Sequence, residues 1–200
     1  MKIVNDDFLQ EMTGAMTYPR PGTANRSIFK TPILLWRMGL GRFLGKHMLV
    51  LTTWGRKSGL PRHTMLSYYE MNGSLFVLSG WGSKADWYRN ILANQAVTVQ
   101  TDKDSASGLA RRVEQIEEYR PVMQALLDGA GDSHFEPWLS SLDIDQNIED
   151  LVAKRERVYL VALEPGQGSG PDPLAADLKW FWGVLLVILA GWIVIYRLKR

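Results

Sequence analysis

The feature that most constrains this chain is a run of 17 residues without a charge, Trp180 to Tyr196, reading WFWGVLLVILAGWIVIY. A helix built from it is apolar on every face and has no polar stripe to turn towards water. It spans roughly 25 Å at about 1.5 Å per residue, against a hydrocarbon core about 30 Å thick. Lys179 and Arg197 flank it and can snorkel to headgroups, and Trp180, Trp182 and Tyr196 stand where amphipathic rings gather at an interface. The expectation is one C-terminal transmembrane helix with a basic tail over 179–200. That makes a single-pass protein of the cell membrane, joined to the lipid bilayer through that helix. A buried core helix is the bland alternative. The N-terminus MKIVNDDFLQEMTG has no apolar export segment, which leaves the remaining domain on the cytoplasmic side. The basic residues after the helix pull the other way, because the positive-inside rule places that end in the cytoplasm.

Before the apolar run, EPGQGSGPDPLAADLK reads as a linker, flexible or polyproline-like, over 166–178. Residues 1–27 read as irregular, broken by Pro19, Pro21 and Gly22. That leaves 28–165 for one domain. Its chemistry is bounded by what is missing. There is no cysteine, so disulfides, thiolate ligands and cysteine nucleophiles are excluded. His47, His63 and His134 include no helical metal pair, so no metal site is expected. The net charge is +2, but Arg197, Lys199 and Arg200 supply +3, so the rest of the chain carries about −1. A body so nearly neutral offers no broad basic face for nucleic acid.

Within the domain, Ile28–Leu44 carries apolar residues at helical spacing, fringed by Arg37, Arg42 and Lys46. It reads as a helix on the core, with a membrane-touching surface as the sharper alternative. Strands are expected at His47–Trp54, Arg62–Glu70, Ser74–Ser79, Ala96–Thr101, Ser107–Val113 and Val158–Leu163. Asn72-Gly73 marks a hairpin. Helices are expected at Ala85–Ala93, with Ser83 or Asp86 near its cap, and at Glu114–Leu127 and Asn147–Lys154. Six strands in mostly sequential order, with helices inserted, imply an α+β, mainly β fold: a small antiparallel barrel with helical decoration.

Two segments carry chemistry. Thr52 to Arg62 (TTWGRKSGLPR) is a glycine-bounded turn between apolar strands, with cations at Arg56, Lys57 and Arg62 and a hydroxyl at Ser58. Such a turn offers backbone N–H groups, a guanidinium fork and an ammonium to one anion. A solvated basic hairpin is the bland reading. The second segment, Ser79 to Asn90 (SGWGSKADWYRN), combines glycines with a helix start and with Trp81, Trp87 and Tyr88. Glycine lets backbone approach a flat ligand, and a helix N-terminus presents free donors. Trp87 reads better as a core residue.

Taken together, LTTWGRKSGLPR, LFVLSGWGSKADWYRNILANQAVTVQ and VYLVALEP resemble the deazaflavin-dependent nitroreductase and quinone reductase family, over about Ile33 to Pro165. The resemblance implies the split β-barrel of the FMN-binding type, and coenzyme F420 (8-hydroxy-5-deazaflavin) as hydride donor. It implies that Arg56, Lys57 and Ser58 hold the phosphate and oligoglutamate tail. Arg62, His63, Thr64, Met65, Leu66 and Ser67 would line the strand beside it. Leu78, Ser79, Gly80 and Trp81 would pass along the ring, and Asp86, Trp87, Tyr88, Arg89 and Asn90 would bring a helix start near ring or phosphate. The chain departs from the family at Trp54, usually threonine, and at Gln95, usually proline. The Gly80–Asp86 loop is short, and no tyrosine-rich segment is evident near His134–Trp138. These departures bear on the acceptor more than on the coenzyme.

The implied reaction is hydride transfer to a quinone or nitro-type small organic acceptor, with a membrane quinone among the candidates. The coenzyme carries the chemistry and the protein binds, orients and excludes water. Ser79, Tyr68 and Tyr88 are candidates to polarise or protonate the acceptor. The competing readings are a membrane-tethered module that binds coenzyme or anion without turnover, and an FMN-dependent reductase on the same barrel.

Overall fold

The computed structural model describes residues 30–46, 48–129, 132–166 and 168–198. The expected irregular segment 1–27, His47 and the terminal Lys199 and Arg200 lie outside them. Among the described residues, seven strands form one antiparallel sheet: β1 (Met48–Trp54), β2 (Pro61–Ser67), β3 (Tyr69–Met71), β4 (Ser74–Leu78), β5 (Ala96–Gln100), β6 (Ser105–Arg112) and β7 (Leu160–Pro165). The order across the sheet is β2-β1-β5-β6-β7-β4-β3. The sheet curls so that β2 approaches β4, giving the half-closed wall of a split barrel. Each strand has a local cause. β1 is apolar and β-branched and is buried almost throughout. Asn72 and Gly73 take φ of +52° and +81°, the pair of positive values a two-residue hairpin of type I′ needs. The expected strand Arg62–Glu70 is two strands, interrupted at Tyr68. That side chain is buried, and its hydroxyl donates to the Gly45 carbonyl at 3.3 Å.

The helices are α1 (Thr31–Leu35), α2 (Gly41–Leu44), α3 (Asp86–Ala93), α4 (Ile116–Gly129), α5 (Asp132–Ser141), α6 (Ile148–Ala153) and α7 (Trp180–Leu198). The expected single helix through Leu44 is interrupted by a wide turn over Trp36–Leu40, where Gly39 sits at φ +91°. At α6, Asn147 caps the helix, its side chain accepting from the Asp150 amide at 2.8 Å. α3 starts after Ala85 with no side-chain cap, so neither Ser83 nor Asp86 has the capping role expected of it.

Strand alternation sorts the side chains into three cores. Leu49 and Leu51 of β1, Val97 and Val99 of β5, Ala110, Val161 and Leu163 face inward, where α3 adds Trp87, Tyr88 and Ile91. Phe76, Leu160 and Ala162 face the other way, under α4, α5 and α6. Val50 points to a third, smaller cluster with Trp36 and Leu174, and Met65 packs against it.

Leu174 belongs to the stretch expected to be a flexible linker, and there the chain behaves differently. Residues 170–178 lie as a strap across the outer face of β5 and β1. Gly170 abuts the Val97 carbonyl so closely that a Cβ would collide with it. Thr98 Oγ1 donates to the Pro171 carbonyl. The Gln100 amide both accepts from the Leu174 N–H at 2.7 Å and donates to its carbonyl at 3.2 Å. Arg37 forms a bidentate pair with Asp177 at 2.8 and 2.7 Å. The Gly-Pro-Asp composition says nothing of these partners, which stand 73 and 74 residues earlier in the chain at Thr98 and Gln100 and 140 earlier at Arg37.

The strap leads into α7, whose first turn is fastened by the Trp182 indole N–H to the Met38 carbonyl at 2.8 Å. Beyond it, side chains such as Leu186 and Val187 are exposed. The helix is 19 residues long, and among the described residues no helix is long and apolar enough to cross a membrane. The expected transmembrane helix, and with it the single-pass location in the cell membrane, is corrected. The uncharged run is only about 25 Å long against a core of about 30 Å. Gly183, Gly191 and three tryptophans dilute its aliphatic content, and Arg197 falls inside its last turn.

Candidate functional site

Because β1, β4 and β6 run in the same direction, their ends meet at one rim of the barrel. The turn after β1, the loop after β4 and the start of α3 therefore gather there. This is the part of the fold in which the two chemistry-bearing segments, some 30 residues apart, become neighbours.

The turn closes on itself first. The Gly55 N–H donates to the Leu60 carbonyl at 2.9 Å, and the Ser58 and Gly59 N–H groups both reach the Gly55 carbonyl, at 3.1 and 2.7 Å. Gly59 supplies φ +65°, which a side chain would resist. Arg56 bends back onto α3. Its Nη2 meets Asp86 Oδ1 at 2.9 Å, and its Nη1 donates to Asn90 Oδ1 at 3.0 Å and to the Asp86 carbonyl at 3.3 Å. Its backbone N–H also donates to Asn90 Oδ1, at 3.2 Å. Among the described residues, the Arg62 side chain reaches only the Ser58 hydroxyl, at 3.2 Å. Lys57 is exposed and, among the described residues, has no carboxylate partner. The turn thus presents two cations whose charge is not neutralised locally, Lys57 and Arg62.

The loop after β4 is equally organised. The Ser79 N–H donates to the Tyr159 carbonyl at 3.0 Å and its hydroxyl donates to the Gly82 carbonyl at 2.8 Å. Gly82, at φ +55°, rests on the Tyr159 ring. From α5, the Trp138 indole donates to the Gly80 carbonyl at 3.4 Å. A Cβ built on Gly80 would meet nothing within 4 Å, so the backbone there borders open space. Trp81 is half-buried against the inner core, and Arg89 donates to the Ser83 carbonyl at 2.8 Å.

Not every residue named from the sequence reaches this rim. Pairing across β1 and β2 puts Thr53 opposite Arg62, Leu51 opposite Thr64 and Leu49 opposite Leu66, all on the inner face. His63 and Met65, opposite Thr52 and Val50, and Ser67 with them, lie on the outer face under α1 and the strap. His63 Nδ1 is 3.0 Å from Thr52 Oγ1. Burial, reinforced by the Arg37 charge, holds its pKa below the usual imidazole value. Leu78 points to the α4 side. Trp87 is core, as expected from the sequence.

The three hydroxyls considered for proton chemistry are all engaged. Ser79 and Tyr68 donate to backbone carbonyls. Tyr68 has its pKa raised by burial and by the charges of Asp102 and Glu70. Tyr88 is buried edge-on against Tyr159, at 5.1 Å between ring centroids. Burial raises its pKa, partly offset by Arg112. Arg112 itself went unnoticed in the sequence. Its guanidinium stacks 4.5 Å above the Tyr159 ring, beside the Ser79–Gly82 loop. The signal was its parity with inward Ala110 on β6, which becomes readable once that strand is placed.

Residues 37–131 match the family described as F420H(2)-dependent quinone reductase. Among solved structures, an F420-H2 dependent reductase (FDR-A) overlaps with 58% of this chain and 92% of its own, at 23% identity and a TM-score of 0.43. The heme storage protein HutZ from Vibrio cholerae overlaps with 68% of this chain and 90% of its own, at 18% identity and a TM-score of 0.42. A putative 5-nitroimidazole antibiotic resistance protein from Bacteroides thetaiotaomicron covers 66% of this chain and 80% of its own, at 13% identity and a TM-score of 0.43. No curated protein matches. The family match spans β1 to β6 and both segments of the rim, so that part of the chain is similar to the F420H(2)-dependent quinone reductases, a likeness that implies coenzyme F420 as the cofactor.

Proposed function

We propose that this chain transfers hydride from reduced coenzyme F420 to a quinone or nitro-type small organic acceptor, with the coenzyme lying across the barrel rim. The observation that carries the reading is the pairing of Lys57 and Arg62, two cations without local carboxylates, with the open backbone at Gly80. A coenzyme with a polyanionic arm and a flat ring needs both features. When bound, coenzyme F420 supplies the hydride. The chain's part is to hold and orient. Lys57 and Arg62 take the anionic arm, with Ser58 fixing the Arg62 fork. Thr64 and Leu66 form the inner wall along β2. The Ser79–Trp81 backbone and the Trp81 ring border the flat ring and keep water from it. Because the Ser79 and Tyr68 hydroxyls serve backbone carbonyls, and Tyr88 is a weakened acid, none of the three is cast as proton donor in this reading.

The test uses the full chain, purified and mixed with the reduced coenzyme. Appearance of the oxidised coenzyme's absorbance on adding a water-soluble naphthoquinone is expected, and binding without turnover would leave a coenzyme-holding module in its place. Tight binding of FMN with none of coenzyme F420 would overturn the cofactor. Lys57→Ala should weaken coenzyme binding by about 1.5–3 kcal/mol, the range of a charge-assisted hydrogen bond.

A further inference from the structure

Resting on that reading of the rim, we propose that Arg56 does not hold the coenzyme's anionic arm. Together with Asn90 it is a positioning pair that fixes the basic turn on α3, so that Lys57 and Arg62 alone present charge to the arm.

Asn90 sits in the second turn of α3 and is only 4% exposed. Every polar atom of its side chain is used. Oδ1 accepts from the Arg56 N–H at 3.2 Å and from Nη1 at 3.0 Å, and Nδ2 donates to Thr53 Oγ1 at 3.0 Å. The two Arg56 groups are both donors, so the atom facing them must be the amide oxygen. Thr53 Oγ1 in turn reaches the Arg62 carbonyl at 3.5 Å. One buried amide therefore ties α3 to the outgoing limb of the turn at Arg56 and, through Thr53, to the returning limb at Arg62. The Arg56 charge is matched by Asp86 at 2.9 Å, and its side chain is 24% exposed. To hold an anion, Arg56 would have to abandon a carboxylate and leave Asn90 Oδ1 partly unpaired in a buried place, which is costly. Lys57 and Arg62 have no such commitment.

A positioning pair acts through the residues it positions, and this gives the test. Coenzyme dissociation constants are measured by titration for the full chain and for Arg56→Ala, Asn90→Ala, their double variant, Lys57→Ala, and Asn90→Ala combined with Lys57→Ala. Arg56→Ala and Asn90→Ala should each weaken binding by about tenfold, the worth of one charge-assisted hydrogen bond. The double variant should lose no more than either single one. With Lys57→Ala already in place, Asn90→Ala should cost less than it does alone, because only Arg62 is then left to position. Asn90→Asp keeps an acceptor for both Arg56 donors but lacks the Nδ2 donor to Thr53, so it should restore most of the binding that Asn90→Ala loses and not all of it. Without coenzyme, the Arg56 amide should exchange hydrogen slowly in the native chain and in Asn90→Asp, and quickly in Asn90→Ala. At saturating coenzyme, kcat should hold while KM for the coenzyme rises. If Arg56→Ala and Lys57→Ala add fully while Asn90→Ala leaves binding intact, Arg56 touches the arm and the inference is wrong. If none of these variants shifts the dissociation constant, the coenzyme does not bind at this rim, and the site reading falls with the inference. Should the alanine variants unfold, the comparison of Asn90→Asp with Arg56→Lys decides. A positioning role predicts rescue by the first and loss in the second.

Discussion

Replacing Gln100 by leucine tests whether the strap is part of the folded body. The side chains have similar volume, so the change removes hydrogen bonds with little change in packing. Two go together: the Leu174 N–H loses Gln100 Oε1 at 2.7 Å, and the Leu174 carbonyl loses Nε2 at 3.2 Å. Gln100 and Leu174 are 9% and 8% exposed, so water does not readily take over. Each orphaned group would cost about 1–3 kcal/mol if the strap stayed in place. The strap can also let go, and the loss cannot exceed what its docking contributes, so the expected decrease is about 1.5–3 kcal/mol. The assay is urea unfolding of the full chain, with hydrogen exchange at the Leu174 amide followed in parallel. Stability should fall and the Leu174 amide should lose its protection, while amides in β1 stay protected. A change under about 0.5 kcal/mol with Leu174 still protected would refute the reasoning, because it would mean the Gln100 amide makes no net contribution.

Gly170→Ala should release the same strap by another route, since its Cβ would strike the Val97 carbonyl; exposure of residues 170–178 to a protease, with the barrel intact, checks it. His63 gives a pH dependence. Its pKa is held below the usual imidazole value of about 6.5, so the native state favours the neutral ring. Below that value the unfolded chain takes up a proton the native chain refuses, and stability falls with pH until the lowered pKa is reached. Urea midpoints from about pH 7 to 5 should show this slope, and His63→Gln should flatten it.

How much was legible in the sequence depended on whether the cause was local. The Asn72-Gly73 hairpin, the apolar β1 and the glycine-bounded turn carry their reasons within a few residues, and they form as read. The break at Tyr68 does not, because it depends on a carbonyl at Gly45, over twenty residues earlier. The strap was misread for the same reason: glycine and proline mark where the chain turns, and only the fold shows that Gln100 and Thr98 await it. α5 was not read from the sequence at all. At the rim, the two segments named from the sequence do become neighbours, but which of their side chains face it was not legible. Treating β2 as one continuous lining overlooked its two-residue period, which sends His63 and Met65 away from Arg62 and Thr64. The commitment of Arg56 to Asp86 and Asn90 is a property of the helix that follows β4, thirty residues on, and no motif spacing announces it.

The strap also settles where mechanical load would travel. Force applied along α7 meets first the hydrogen bond from Trp182 to Met38 and then Asp177, where the Arg37 fork resists it. Next in line is Leu174, held on both sides by one amide. Only after these contacts have sheared would tension reach Pro165 and begin to peel β7 from β6 and β4. Tyr159 lies at the far end of β7, beneath the Ser79–Gly82 loop. The strap therefore serves as a strain relief: whatever tugs or rotates the terminal helix is absorbed on the outer face of β5 and β1, and the geometry of the rim is isolated from it.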